Sequence, residues 1–153
     1  MKLPFFALLL TLGCNYIPCS SSSDLTEIRE MPKNYQIVGT YKPDSFTKQD
    51  FKEFANSDSV ILILKTNGEI QLKNFPPMVF LLPSDSSYKE ISGKGTWSCY
   101  FNKMAKIKTQ VEFEQKIEVE PIPFELYKKG DRYYILIPFG DPDVCSTVRL
   151  VQQ

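Results

Sequence analysis

The side chains able to do chemistry in this chain of 153 residues are few in kind. There is no histidine, so the commonest general base and the commonest zinc ligand are both missing. Serines are plentiful, yet a serine nucleophile needs a base beside it and none is visible. The four cysteines, Cys14, Cys19, Cys99 and Cys145, show no Cys-x-x-Cys spacing, which argues against a zinc site. In Gly140-Asp-Pro-Asp143 the carboxylates of Asp141 and Asp143 are too few for a calcium cage and read as turn chemistry. Glu112, Glu114, Glu118 and Glu120 fall on alternate positions, as on the solvated face of a strand, where negative charge also guards an edge against pairing with other chains. Lys plus Arg equals Asp plus Glu at 18 each, with no block of one sign, so no footprint for nucleic acid is expected. These residues predict neither an enzyme nor a cofactor or metal site. Cys99 and Cys145 remain, both in predicted strands. A disulfide between them would close a loop of nearly fifty residues and contribute about 2–4 kcal/mol. The alternative is two reduced cysteines packed as small hydrophobes.

The first nineteen residues read as an export signal. Lys2 supplies the positive start, Leu3 to Leu12 an apolar run too short to span a bilayer, and Gly13-Cys14 a small-residue exit. Leu10-Thr11-Leu12-Gly13-Cys14 resembles the lipobox of bacterial lipoproteins, although Thr11 and Leu12 stand where the family usually has Leu and a small residue. The resemblance implies cleavage before Cys14 and diacylation of its sulfur with chains such as palmitate. Two chains are what stable anchoring requires. It also implies a place in the bacterial cell envelope, on the outer membrane. The competing reading is an ordinary secretory signal with a chance cysteine. With Cys14 acylated and Cys99 bridged to Cys145, Cys19 is left free in the polar tract Asn15 to Asp24, whose serine run cannot bury apolar surface. The expected division is a signal peptide over 1–13, lipidated cysteine and tether over 14–34, and one β domain over 35–153.

The elements of that domain are legible from periodicity. Val60 to Leu64 are all apolar and short in span, suggesting a strand buried on both faces, while Ile70 and Leu72 alternate with Glu69, Gln71 and Lys73. Asn67-Gly68 between them marks a hairpin. A two-residue loop would pair Leu64 with Gln71, whereas a type I turn with a left-handed Gly68 bulge pairs Leu64 with Ile70 and Leu62 with Leu72. The bulged register is expected because it matches apolar with apolar and sets Lys65 opposite Glu69. Upstream, Tyr35 to Tyr41 predicts strand one and Asp24 to Asn34 only a lead-in. Thr47 with Asp50 predicts a capping box, Phe46 with Phe51 a hydrophobic staple, and the helix they start should end by Asn56. Met78 to Leu82 predicts a buried strand or a plug across one end of the core. Further strands are expected over Gly95–Phe101, Ile107–Phe113, Phe124–Tyr127, Tyr133–Ile137 and Val144–Val151. The predicted class is mainly β, a single antiparallel up-and-down barrel of about eight strands with one short helix after the first, or failing that a β-sandwich.

Gly39-Thr40-Tyr41 and Gly95-Thr96-Trp97, with the Gly140-Asp-Pro-Asp143 turn, resemble the lipocalin-like domains of small bacterial lipoproteins over Tyr35 to Val151. Tyr41 stands where lipocalins carry tryptophan on their first strand. The resemblance implies a barrel able to take a small apolar or lipid-like ligand, with Trp97 and Tyr133 as candidate ligand-facing residues. A barrel of eight strands is also just narrow enough to be filled by its own side chains, Phe80, Phe101, Phe113 and Phe124 among them. Two functions follow from these alternatives: a non-catalytic lipoprotein with a ligand in its barrel, or a structural or protein-binding surface lipoprotein with a filled core. A cavity above about 300 Å³ would favour the first.

Overall fold

Asn67-Gly68 turns the chain as its chemistry predicts. In a computed structural model that describes residues 22–55, 58–80, 87–119, 121, 123–140 and 146–153, Gly68 has φ +80° and its N–H donates to Lys65 O at 3.1 Å. Lys65 N–H then donates to Glu69 O at 2.9 Å, closing the bulge. The strands it joins, β3 (Ile61–Leu64) and β4 (Glu69–Phe75), pair Leu64 with Ile70 and Leu62 with Leu72. Lys65 Nζ meets Glu69 Oε2 at 2.8 Å, the ion pair expected of this register. One expectation needs correcting. Leu62 and Leu64 are fully buried, but Ile61 and Ile63 are only half-buried, so β3 has one core face, as a strand in a barrel wall must.

The remaining strands extend this hairpin into a closed ring. β2 (Gly39–Pro43), β3, β4, β5 (Ile91–Asn102), β6 (Met104–Phe113), β7 (Phe124–Lys129), β8 (Arg132–Pro138) and β9 (Thr147–Gln152) each pair antiparallel with the next. β9 closes on β2 through Lys42 opposite Val151. The result is an up-and-down barrel of eight strands with an additional strand, β1 (Thr26–Glu27), outside the ring. Among the described residues β6 and β7 share two residue pairs, Lys106 with Glu125 and Ile107 with Phe124. β1 occupies the split beside them, pairing Thr26 with Lys128 while Ile28 O accepts from Ala105 N–H at 2.9 Å.

The two ends of the barrel differ. At one, here the base, the strands are joined by the tight turns 65–68, 103 and 130–131. At the other, the loop end, the connections are 44–60, 76–90, 114–123 and 139–146. Segment 28–38 crosses the base and includes α1 (Asn34–Ile37), a single turn where strand one was expected to begin. Gly39, at φ +144°, breaks the extended run; Ile37 is buried, and Tyr41 Oη donates to Ile37 O at 2.6 Å. Residues 24–34 are therefore held against the barrel, ahead of the expected start at Tyr35.

The helix after strand one, α2 (Ser45–Asp50), starts two residues before the predicted cap. Asp44 is the N-cap, its Oδ1 accepting from Thr47 N–H at 2.9 Å. Thr47 is wholly buried instead, its hydroxyl donating to Arg149 O at 3.0 Å and accepting from Arg149 N–H at 2.7 Å. The staple pair separates: Phe46 lies beneath the Arg149 guanidinium, and Phe51 packs on Phe139 at 5.2 Å between ring centroids. A 3-10 turn, Lys52–Phe54, follows, and Asn56 lies outside the described residues. Pro77–Phe80 forms another 3-10 turn with Val79 and Phe80 buried, which is the plug alternative rather than a strand.

Candidate functional site

The barrel interior is lined by alternate residues of every strand, among them Tyr41, Leu62, Ile70, Trp97, Ile107, Leu126, Tyr133, Ile135 and Leu150. Trp97 comes inward on β5 and serves the base: its indole Nε1–H donates to Lys65 O at 3.1 Å and its backbone N–H to Gly68 O at 2.8 Å. Gly95, two residues before it, lies so close to β6 that a Cβ there would meet the Gln110 carbonyl. The two Gly-Thr-aromatic echoes thus need glycine for different reasons, φ at Gly39 and backbone proximity at Gly95. Tyr133 is buried in the same interior, with Lys128 Nζ 5.6 Å from its ring centroid. Burial, and then the neighbouring Tyr133, push the Tyr41 phenol well above the ordinary tyrosine range, so it stays a neutral donor to Ile37.

A cavity of about 90 Å³ lies toward the loop end, where β6 runs on past its last pair with β7. Leu72, Phe80, Val111, Phe113, Val119 and Phe124 give it apolar walls, with Thr109 and Gln110 as polar groups and Pro121 at the rim. Of the bulky side chains singled out in the sequence, Phe80, Phe113 and Phe124 line it; Phe80 and Phe113 pack 4.9 Å apart, edge on. Trp97 and Tyr133 are interior residues outside this lining.

Cys99 is half-buried against the core with a free thiol, and burial raises its pKa. Its expected partner Cys145 lies outside the described residues, as do Cys14, Cys19, Glu120, Asp141 and Asp143. Glu112 is exposed on the outer face of β6 as expected; Glu114 and Glu118 are exposed too but lie in the connection after β6, not on a strand face. No group of three or more Cys, Asp or Glu gathers around one point among the described residues.

A polar cluster that periodicity did not suggest sits on the outer wall of β7 to β9. Arg149 points outward from β9 and yet is only 4% exposed. Its guanidinium meets Asp24 Oδ1 at 2.8 Å and Asp44 Oδ2 at 2.9 Å, between the rings of Phe46 at 4.8 Å and Tyr134 at 5.6 Å. Asp24 also accepts from Lys129 Nζ at 2.7 Å. These hydrogen bonds, from Lys129 first and Arg149 second, hold the Asp24 carboxyl down at about 2. The cluster fastens the N-terminal segment and α2 to the barrel. An outward arginine on a strand normally signals solvent, so only the distant partners reveal its burial.

Among the described residues no helix is long and apolar enough to cross a membrane. Compared with protein-family models, curated proteins and solved structures, the chain has no match.

Proposed function

We propose that this chain is a non-catalytic lipoprotein of the bacterial envelope, exported by its first thirteen residues and anchored through acylated Cys14, whose filled barrel works by its outer surface as a structural or protein-binding module. The observation that carries the reading is the interior. Among the described residues the cavity inside the barrel is about 90 Å³, well short of the roughly 300 Å³ at which small-molecule pockets begin. The anchoring half rests on the apolar run ending at Gly13-Cys14 and the polar tract after it; the non-catalytic half rests on a chain without histidine.

A second reading has its own observation: the cavity is apolar, has two polar groups at its wall, and is partly open toward the loop end. A dry cavity of about 150 Å³ takes a benzene, so this one suits a single alkyl branch or the end of an acyl chain. Native mass spectrometry of the protein from its own host, with lipid extraction as control, separates the two. The expected mass is that of the bare acylated chain, and a co-purifying apolar molecule released by solvent would install the ligand reading instead. Cys14→Ala should abolish lipid labelling and membrane association; a variant as labelled and as membrane-bound as wild type would remove the anchor.

A further inference from the structure

Among the described residues, three of the four large apolar side chains most exposed to solvent belong to one end of the barrel. Met31 at 52%, Tyr35 at 66% and Phe101 at 44% are all at the base, on segment 28–38 and the end of β5. They stand among cations. The base segment and turns carry Arg29, Lys33, Lys65 and Lys103 against Glu30 and Asp131, and the adjoining strand ends add Lys128, Lys129 and Arg132 against Glu27 and Glu69, which pair with Arg29 and Lys65. Lys33 Nζ lies 5.8 Å from the Tyr35 ring centroid, and Lys103 is the exposed tip of the β5–β6 turn. The loop end has the opposite balance, seven acidic residues against four basic among its described residues. In a chain of zero formal net charge this is a separation of charge along the barrel axis.

From this geometry, and resting on the anchoring reading above, we infer that the base of the barrel is a docking surface for the anionic face of a lipid bilayer. The length of the tether enforces closeness. Eight peptide units from Cys14 to Ser22 reach at most about 29 Å fully extended, less than the roughly 40 Å length of the twelve-residue β5. An anchored barrel therefore cannot stand clear of the surface, and some part of it must face the headgroups. Acidic connections are repelled there and the basic base is attracted. Tyr35, with an apolar ring and a polar tip, suits the headgroup level, and lysines can lay their stems along the boundary with the ammonium in water.

The test uses the mature chain from residue 14 with Cys14→Ser, so that binding owes nothing to acylation and its failure is distinct from failure of the anchor. In flotation with vesicles of phosphatidylglycerol and phosphatidylcholine in equal parts, the chain should float at low salt. It should stay behind with phosphatidylcholine alone, and be released by about 1 M salt, where the screening length is about 3 Å. Lys33→Glu with Lys103→Glu should lower the bound fraction at least tenfold. The same reversal at the loop end, Lys52→Glu with Lys89→Glu, should leave it unchanged. Tyr35→Ser with Phe101→Ser should lower it with circular dichroism and thermal melting retained, which keeps the surface testable should the charge reversal unfold the chain. No flotation on anionic vesicles at low salt, binding indifferent to salt, or equal losses from the two reversals would overturn the inference.

Discussion

The β3–β4 hairpin and the outer-wall cluster around Arg149 hold the barrel by opposite means. In the hairpin the contacts are local: Lys65 meets Glu69 four residues on, and apolar residues alternate inward to a core they share with every other strand. In the cluster the contacts are remote, since Arg149 reaches Asp24 across 125 residues and Thr47 across 102. A local element depends on propensity and turn chemistry, with little loop entropy to overcome. A remote one depends on the ring having already closed. The lesson is that the part of this fold that forms most readily is separate from the part that fastens its termini.

The largest effect should come from Arg149→Ala. It leaves Asp44, nearly buried and bonded then, among the described residues, only to Thr47 N–H, without its guanidinium and Asp24 without one of two partners, a loss approaching the roughly 3–5 kcal/mol of unpairing a buried ion. If its long sequence separations make the cluster form after the ring has closed, urea kinetics should show that loss chiefly as faster unfolding. A loss below about 1 kcal/mol would mean that the aromatic sandwich, not the charge, holds the wall.

A smaller and pH-dependent effect belongs to Asp24. Its folded pKa of about 2 lies below the ordinary 3.8, so the carboxylate adds stability that is fully present above the unfolded value and is lost as pH falls through the folded one. The native protein should therefore weaken between about pH 4 and pH 2, and Asp24→Asn should flatten that part of the thermal-melting profile. An unchanged profile in the variant would assign the acid sensitivity to other carboxylates.

The smallest expected change sharpens the hairpin side. Gly68→Ala places a Cβ on a residue at φ +80°, a cost of about 1 kcal/mol, and stopped-flow refolding should show it in the folding rate if the hairpin is early. An effect confined to unfolding would make the hairpin as late as the clamp.

Most of the barrel is readable from residues because its strands alternate and its turns carry their own chemistry. Ile107, Thr109, Val111 and Phe113 point inward as the period of two requires, and the Asn67-Gly68 register follows from matching apolar partners. The errors share a cause, a distant contact that overrides a local signal. Thr47 looks like a cap, but Arg149 takes its hydroxyl and Asp44 caps instead. Tyr35 looks like a strand residue, but Ile37 is drawn into the base and a helical turn precedes Gly39. The cavity was legible only as a set of bulky fillers, because its volume depends on how Phe80 and Val119 close over β6.

The path of the N-terminal segment also settles how the barrel carries load. Tension on the N-terminal segment is shared at Asp24 between Arg149 on β9, the strand that seals the ring against β2, and Lys129 on β7. Behind that point stand the two-residue ladder of β1 on β7 and the Ile28 carbonyl's bond to Ala105. The Asp24 contacts thus take strain ahead of the β1 ladder, and pulling on the N-terminus of an Asp24→Asn chain in an optical trap should peel β1 at lower force than in wild type.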